Sequence, residues 1–506
     1  MRTAKVVARE HHLRCGVRLR AVTNTAVEPL ATTAPRSEQH VTANRTPAVA
    51  PAGRSVAVST SVWGDGETDS RYSTWFELRC DESSWETASA HGCFSPNPHR
   101  KRYRMRNLYA MCPMNVAPPE LVEQVLELVR MRSLRRAQIE WESFTTEFLD
   151  RAATCLTLQD AHDLIREMLT RLADGHSFLR TASDMEGRDL PLDAGLRLHN
   201  VEPVVIDVYP DSPAARQGLR MGDRITRVED QPVTADNWQR LRRAALSAGS
   251  MLDIETLGRP RSCTLVGGIS LPMLPPEGRL VAPGVGLIDL PGHDGNGTLS
   301  DGQRYDGMLA SLLRRFERAG AARWIVDLRR CDGGNMWPLL AGLVPLLGQG
   351  TYGAFVDPVA DTWLDWGFDG TALRVTNRRD PSETYQMMEV PSMQPLDNQD
   401  APVALLTSPV TSSSGEAVLI SFLGRAKTRT FGQPTGGLTT SNNLHVLLDG
   451  SWLLLAENLE ADRNDVVREG RIEPDFDVEI DWSLFGLESD PCIQAALGWL
   501  ELKDDM

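Results

Sequence analysis

After Pro118-Pro119, the apolar residues Leu121, Val122, Val125, Leu128 and Val129 fall three and four apart. That spacing predicts a helix with one apolar face, started by the proline pair. Thr157 predicts a second start, with Asp160 in the reciprocal capping position and Leu164, Ile165, Met168, Leu169 and Leu172 as the buried stripe. Gly175 is expected to end this helix in a left-handed turn, leaving His176 just beyond it in Asp174-Gly175-His176-Ser177. Before residue 115 such periodicity is missing. Ala, Thr, Pro, Ser and Arg dominate the first sixty or so positions, so residues 1–115 are expected to be a disordered or poorly structured extension.

Between 195 and 268 the pattern changes to short strands. Val204-Val205-Ile206-Asp207-Val208 predicts a buried strand, followed by Asp211-Ser212-Pro213-Ala214-Ala215-Arg216-Gln217-Gly218-Leu219-Arg220-Met221-Gly222-Asp223-Arg224-Ile225. Ser212 can cap a short helix with Pro213 at its first position, and Gly218 can end it. Gly222-Asp223 then turns the chain into a strand from Arg224 to Val228. The run resembles a bacterial PDZ domain. The resemblance implies a peptide-binding groove lined by Gly195, Leu196, Arg197 and Leu198, where an extended peptide adds as a strand. The same module can also be a rigid spacer that binds nothing.

From 283 to 500 strands and helices alternate. Val285 to Leu290, Trp324 to Arg329 and Val403 to Thr407 predict strands; Met308 to Ala319 and Gly415 to Leu423 predict helices. That alternation predicts an α/β domain with a mostly parallel sheet. Asp449-Gly450 between apolar runs predicts a hairpin turn.

Charge narrows the class of partner. The chain of 506 residues carries a net charge of -15, which argues against nucleic acid, since phosphate contacts need a basic surface. Residues 1–115 hold sixteen Lys/Arg against ten Asp/Glu, so the remainder stands at -21. No apolar run reaches the length of a membrane span. Arg14, Arg18 and Arg20 interrupt the short apolar stretches at the N-terminus, so no signal peptide is read there and the cytoplasm is the expected compartment. Cys15, Cys80, Cys93, Cys112, Cys155, Cys263, Cys331 and Cys492 include no CxxC pair. Neither a zinc site nor a disulfide framework is expected, and no metal or other cofactor is implied.

The candidate chemistry lies in Thr411-Ser412-Ser413-Ser414-Gly415-Glu416, between the strand ending at Thr407 and the following helix. A serine at a strand-to-helix elbow faces unpaired backbone N–H groups able to stabilise an oxyanion. Serines are also preferred helix caps, and locally the cluster reads as a cap. Its context differs. Asp-Gly-His-Ser at 174–177, the PDZ-like segment, Asp-Leu-Arg-x-x-x-Gly-Gly at 327–334, the serine cluster and Gly-x-Pro-Thr-Gly-Gly at 432–437 follow one another over residues 118–500. This order resembles the C-terminal processing (tail-specific) serine peptidase family.

The resemblance implies a crotonase-like fold of the ClpP/crotonase superfamily at 280–502, an inserted PDZ domain at 190–268 and a small N-terminal helical module at 116–182. It implies a peptidase acting on peptides or unfolded proteins. In that family the nucleophile precedes a glutamate by three positions, which selects Ser413 with Glu416; Ser412 and Ser414 are the flanking alternatives. Many members carry a lysine base about twenty-two residues beyond the glutamate, where this chain has Leu438. The tricorn-like branch uses a histidine instead, which implies His176 as base. Glu469 is the first choice for the acidic group behind it, with Glu473 the other possibility. Ser414 and the pair Gly333, Gly334 would supply oxyanion N–H groups. Two other readings share the fold: a non-catalytic hydrophobic-ligand binder like the retinoid-binding relatives, and a crotonase-type enzyme on acyl thioesters, against which the PDZ-like segment and the Ser-x-x-Glu loop speak.

Overall fold

The computed structural model describes Val116 to Glu501, except 182–183, 185–193, 247–248, 267, 269–272, 296, 300 and 391–394. Before Val116 it describes four strands, Ala8–His12, Arg18–Asn24, Arg54–Val62 and Tyr72–Cys80, which pair antiparallel in the order first, second, fourth, third. The rest of the expected N-terminal extension lies outside the described residues. The chain divides into two units, Met1–Leu121 with Val446–Ser451, and Val122–His445 with Trp452–Met506. In the first, the Asp449-Gly450 turn is closed by the Leu447 N–H donating to the Ser451 carbonyl at 2.8 Å.

The second unit is built on a six-stranded sheet. Its order is Glu277–Ala282, Val285–Asp289, Arg323–Asp327, Val403–Thr407, Thr428–Gly432 and Phe476–Asp477, parallel after the first antiparallel pair. Its central strands are buried on both faces, which is why they read as unbroken apolar runs. Ile288, Trp324, Val326, Val403 and Leu405 pack against the helices Tyr305–Arg318, Met336–Leu347 and Ser414–Phe422. Leu287, Ile325, Ala404 and Leu406 pack on the other face against the helix Pro491–Glu501.

A second, antiparallel sheet contains Gly350–Asp357, Thr362–Phe368, Ala372–Asn377, Thr384–Glu389, Thr440–Val446 and Trp452–Asp462. It replaces part of the parallel sheet expected over 283–500, because a long run of strands without helices interrupts the alternation.

The PDZ-like segment folds as expected. Ser212 Oγ accepts the Ala215 N–H at 3.0 Å, Pro213 opens the short helix Pro213–Arg216, and Gly218 and Gly222 take positive φ of 72° and 87°. Leu196, Leu198, Val205, Ile225, Trp238 and Leu252 form its core. Upstream, Thr157 Oγ1 accepts the Asp160 N–H at 3.1 Å while the Asp160 carboxylate accepts the Thr157 N–H at 2.9 Å, and this box starts the helix Leu158–Leu172. The helix ends earlier than expected: Ala173 adopts the left-handed conformation, and Gly175 follows with its own positive φ.

Beneath the carboxyl ends of the central strands lies Arg329, fully buried. Its guanidinium bridges Asp327 (2.9 and 2.6 Å) and Asp490 (3.0 and 2.8 Å) and lies 4.3 Å from the Phe485 ring centroid. Ser408 Oγ donates to the Arg329 carbonyl at 2.7 Å, and Thr411 Oγ1 to the Leu328 carbonyl at 2.8 Å. Asp490 in turn accepts the Cys492 N–H at 3.0 Å at the start of the last helix. The guanidinium therefore ties the end of strand Arg323–Asp327 to the start of the C-terminal helix, while the Leu328 and Arg329 carbonyls hold the serine loop. Removing one partner strands a buried charge, so Asp490→Ala is expected to lower unfolding free energy by about 3–5 kcal/mol, measured by urea denaturation at neutral pH.

Candidate active site

The strand Val403–Thr407 runs into a loop closed by the Thr411 N–H donating to the Ser408 carbonyl (2.9 Å) and the Ser412 N–H to the Cys331 carbonyl (3.0 Å). Ser413 then takes φ 53° and ψ -116° before the helix Ser414–Phe422 begins. This region is uncommon for a residue with a side chain and has to be held by its surroundings. Glu416 does the holding: with zero exposure, its carboxylate accepts the N–H groups of Ser413 (3.0 Å), Gly437 (2.8 Å) and Leu438 (2.7 Å), and the Thr435 hydroxyl.

The sharp turn directs Ser413 Oγ to His176 Nε2, 3.0 Å away. Ser412 and Ser414 are turned elsewhere: Ser412 packs beside Gly436, and Ser414 Oγ is buried beside the Cys331 thiol. His176 is fixed from three sides. Asp174 accepts the N–H groups of His176 (2.9 Å) and Ser177 (2.8 Å) and the Ser177 hydroxyl (2.6 Å). Asn442 Nδ2 donates to the His176 carbonyl at 2.8 Å. The ring's Nδ1 lies 2.7 Å from Thr440 Oγ1.

Burial lowers the His176 pKa to about 4, against the opposing pull of the Asp174 charge and the Thr440 hydrogen bond. The imidazole is therefore neutral at neutral pH, the form that can accept a proton. With Nδ1–H donated to Thr440, the Nε2 lone pair faces the serine.

Gly333 lies against Ser413: a Cβ added there would meet Ser413 Cβ at 3.2 Å. The pair Gly333-Gly334, at φ 130° and 105°, lets the backbone approach this closely. The N–H groups of Gly333, Gly334 and Ser414 have no backbone partner among the described residues.

Glu469 is placed away from the imidazole. It sits in an exposed loop and pairs with Arg135 at 2.9 Å; Glu473 is exposed too. The group behind His176 is Thr440, which sequence reasoning missed, because a threonine after Gly436-Gly437-Leu438-Thr439 carries no distinguishing pattern. Leu438, where a lysine base was excluded, lies against Gly175 beside the histidine: a Cβ there would be 3.8 Å from Leu438 Cδ2. Of the expected groove residues, Leu196 and Leu198 are core, and the Arg197 side chain pairs with Asp332. Among the other histidines, His199 and His293 are buried, and His445 pairs with Glu457 at 2.6 Å.

Residues 284–478 match peptidase family S41, and residues 204–248 match the PDZ domain. The nisin-resistance protein of Lactococcus lactis subsp. lactis is 28% identical over 197 residues, which cover 38% of this chain and 55% of that protein. The regulator of sigma-E protease RseP of Escherichia coli (strain K12) is 40% identical over 67 residues, 13% of this chain and 15% of that protein. The chain thus spans little more than half the length of the former relative and a small part of the latter. A solved structure of the photosystem II D1 C-terminal processing protease, 16% identical, aligns over 72% of this chain and 94% of its own with a TM-score of 0.49. The chain is thus similar to peptidase family S41 over residues 284–478, with a match to the PDZ domain over residues 204–248 ahead of that region.

Proposed function

We propose that this chain is a serine-type peptidase that hydrolyses peptide bonds in peptides or unfolded proteins, with Ser413 as nucleophile and His176 as base. The observation that carries the reading is the 3.0 Å contact between Ser413 Oγ and His176 Nε2. Ser413 attacks the scissile carbonyl as its proton passes to Nε2, and the imidazolium returns that proton to the leaving amine. Water, activated by the same nitrogen, then releases the acyl group. Thr440 takes the orienting role that Glu469 was expected to fill, while Asp174 supplies the nearby negative charge that favours the transient imidazolium. The N–H of Ser414 and one N–H of Gly333-Gly334 serve the oxyanion.

The finer assignment follows the same reading: a tail-specific, tricorn-like Ser/His enzyme with a crotonase-like catalytic domain at 280–502, a PDZ domain at 190–268 and a helical module at 116–182. The helices Trp141–Ala152 and Leu158–Leu172 support the last of these, and the leucine at 438 supports a histidine in place of lysine.

Ser413→Ala is expected to abolish both peptide cleavage and labelling by a fluorophosphonate probe. Undiminished cleavage in that variant, or stoichiometric lipid uptake by a wild-type protein that takes no label, would overturn the assignment. Acid should act in a defined window. Between about 4 and 6.5 the unfolded chain binds a proton at His176 that the folded chain excludes. Lowering pH through that window therefore removes folded-state stability, and raising it restores it. NMR titration of His176 should find its midpoint near 4, and a midpoint at 6.5 would contradict a buried neutral base.

A further inference from the structure

The Gly333-Gly334 turn has little to hold itself, since two glycines at positive φ are the least restrained backbone a chain can place beside a nucleophile. Part of its support comes from the segment at 293–295: the His293 N–H donates to the Gly333 carbonyl at 3.2 Å, and the Asn335 N–H to the His293 carbonyl at 2.7 Å. Arg330 and Asp332, just before the glycines, are held by a different part of the protein.

Strand Leu196–Leu198 of the PDZ domain pairs antiparallel with Val205–Val208, and in that register Arg197 lies directly across from Asp207. Leu196 and Leu198 face the PDZ core, at 1% and 2% exposure, so Arg197 between them faces the opposite way. Its guanidinium pairs with Asp332. Its cross-strand neighbour Asp207 stands 2.9 Å from Arg330, whose guanidinium also pairs with Asp289 at the end of the adjacent parallel strand. Two opposite charges side by side on the PDZ strands thus meet two opposite charges two residues apart on the turn. The arrangement is self-selecting: sliding one element by one partner would set either Arg197 against Arg330 or Asp207 against Asp332.

We propose that this quartet of charges fixes the Gly333-Gly334 turn against Ser413, which makes Arg197 and Asp332 positioning residues for acyl transfer rather than contacts for a peptide in the PDZ groove. The PDZ domain then contributes to the peptidase site through its own strand pair, whatever its groove binds. The inference rests on the serine-peptidase reading for its chemistry, but not for its geometry. A turn displaced by a fraction of an ångström presents its N–H to the wrong place, and such misplacement reduces turnover without weakening substrate binding.

A double-mutant cycle on the full chain tests it. Arg197→Gln and Asp332→Asn are each expected to slow fluorophosphonate labelling on the order of tenfold, with KM for peptide unchanged and kcat lowered. The double variant should be no worse than the poorer single, because either substitution already removes the tie. Arg197→Lys should retain most of the rate. Hydrogen exchange of the amides at 330–335 should quicken in both singles and no further in the double. Losses that multiply in the double, a raised KM at constant kcat, or single variants with wild-type labelling and exchange would overturn the proposal. Should the wild-type protein take no label, the peptidase reading falls, and exchange at 330–335 still decides the tie: quickening in both singles supports it, unaltered exchange refutes it.

Discussion

A buried carboxylate, Glu416, is the constraint on which the site depends. It is removed from water and so needs a full set of donors to stay ionised. Ser413, Gly437 and Leu438 contribute N–H groups and Thr435 a hydroxyl. Those four donors come from the two loops that converge on the histidine. Satisfying one carboxylate therefore fixes the serine in a left-handed conformation, sets the Gly436-Gly437 turn beside it and presses Leu438 against Gly175. The three-residue interval between Ser413 and Glu416 follows directly, since a helix's third residue is the one whose side chain reaches back to the N-terminal cap N–H.

The electrostatics around that carboxylate are correspondingly tight. Burial pushes Glu416 up, and its four donors oppose the shift. Glu460, also buried, is pushed up to about 8, first by burial and then by the charge of Glu416. Glu460 therefore favours its protonated form at neutral pH. The histidine above it is kept neutral by burial, with a threonine hydroxyl rather than a carboxylate on Nδ1. A hydroxyl orients the ring and fixes its tautomer without adding charge, and Asp174, two residues before the histidine, supplies the nearest negative field.

Much of this was legible in the chain because it follows local rules. The capping box at Thr157 and Asp160, the Ser212-Pro213 helix start and the buried central strands each depend on a few consecutive residues, and each formed where its pattern placed it. Ser413 and His176 were legible through resemblance, not through local chemistry, since a serine cluster before a helix is also what a cap looks like. The four antiparallel strands between 350 and 389 were not read. Their exposure follows no two-residue alternation, as in Thr362–Phe368, where most positions are half-buried. Thr440 and the charges at 197, 207, 330 and 332 were illegible for another reason: each acquires meaning only from a partner far along the chain.

Backbone conformation is the feature that favours the proposed nucleophile over a plain cap at Ser413. A capping serine keeps an extended backbone and turns its hydroxyl towards the helix N–H groups, satisfying one of them. At φ 53° and ψ -116° Ser413 departs from that extended backbone, and its hydroxyl lies 3.0 Å from His176 Nε2. Glu416, from the third helical position, holds the Ser413 N–H and so fixes the serine in this conformation. That conformation costs strain at one residue and turns the hydroxyl to His176, while the Ser414 N–H keeps no backbone partner among the described residues. A cap needs neither of these, whereas a nucleophile beside its oxyanion site needs both.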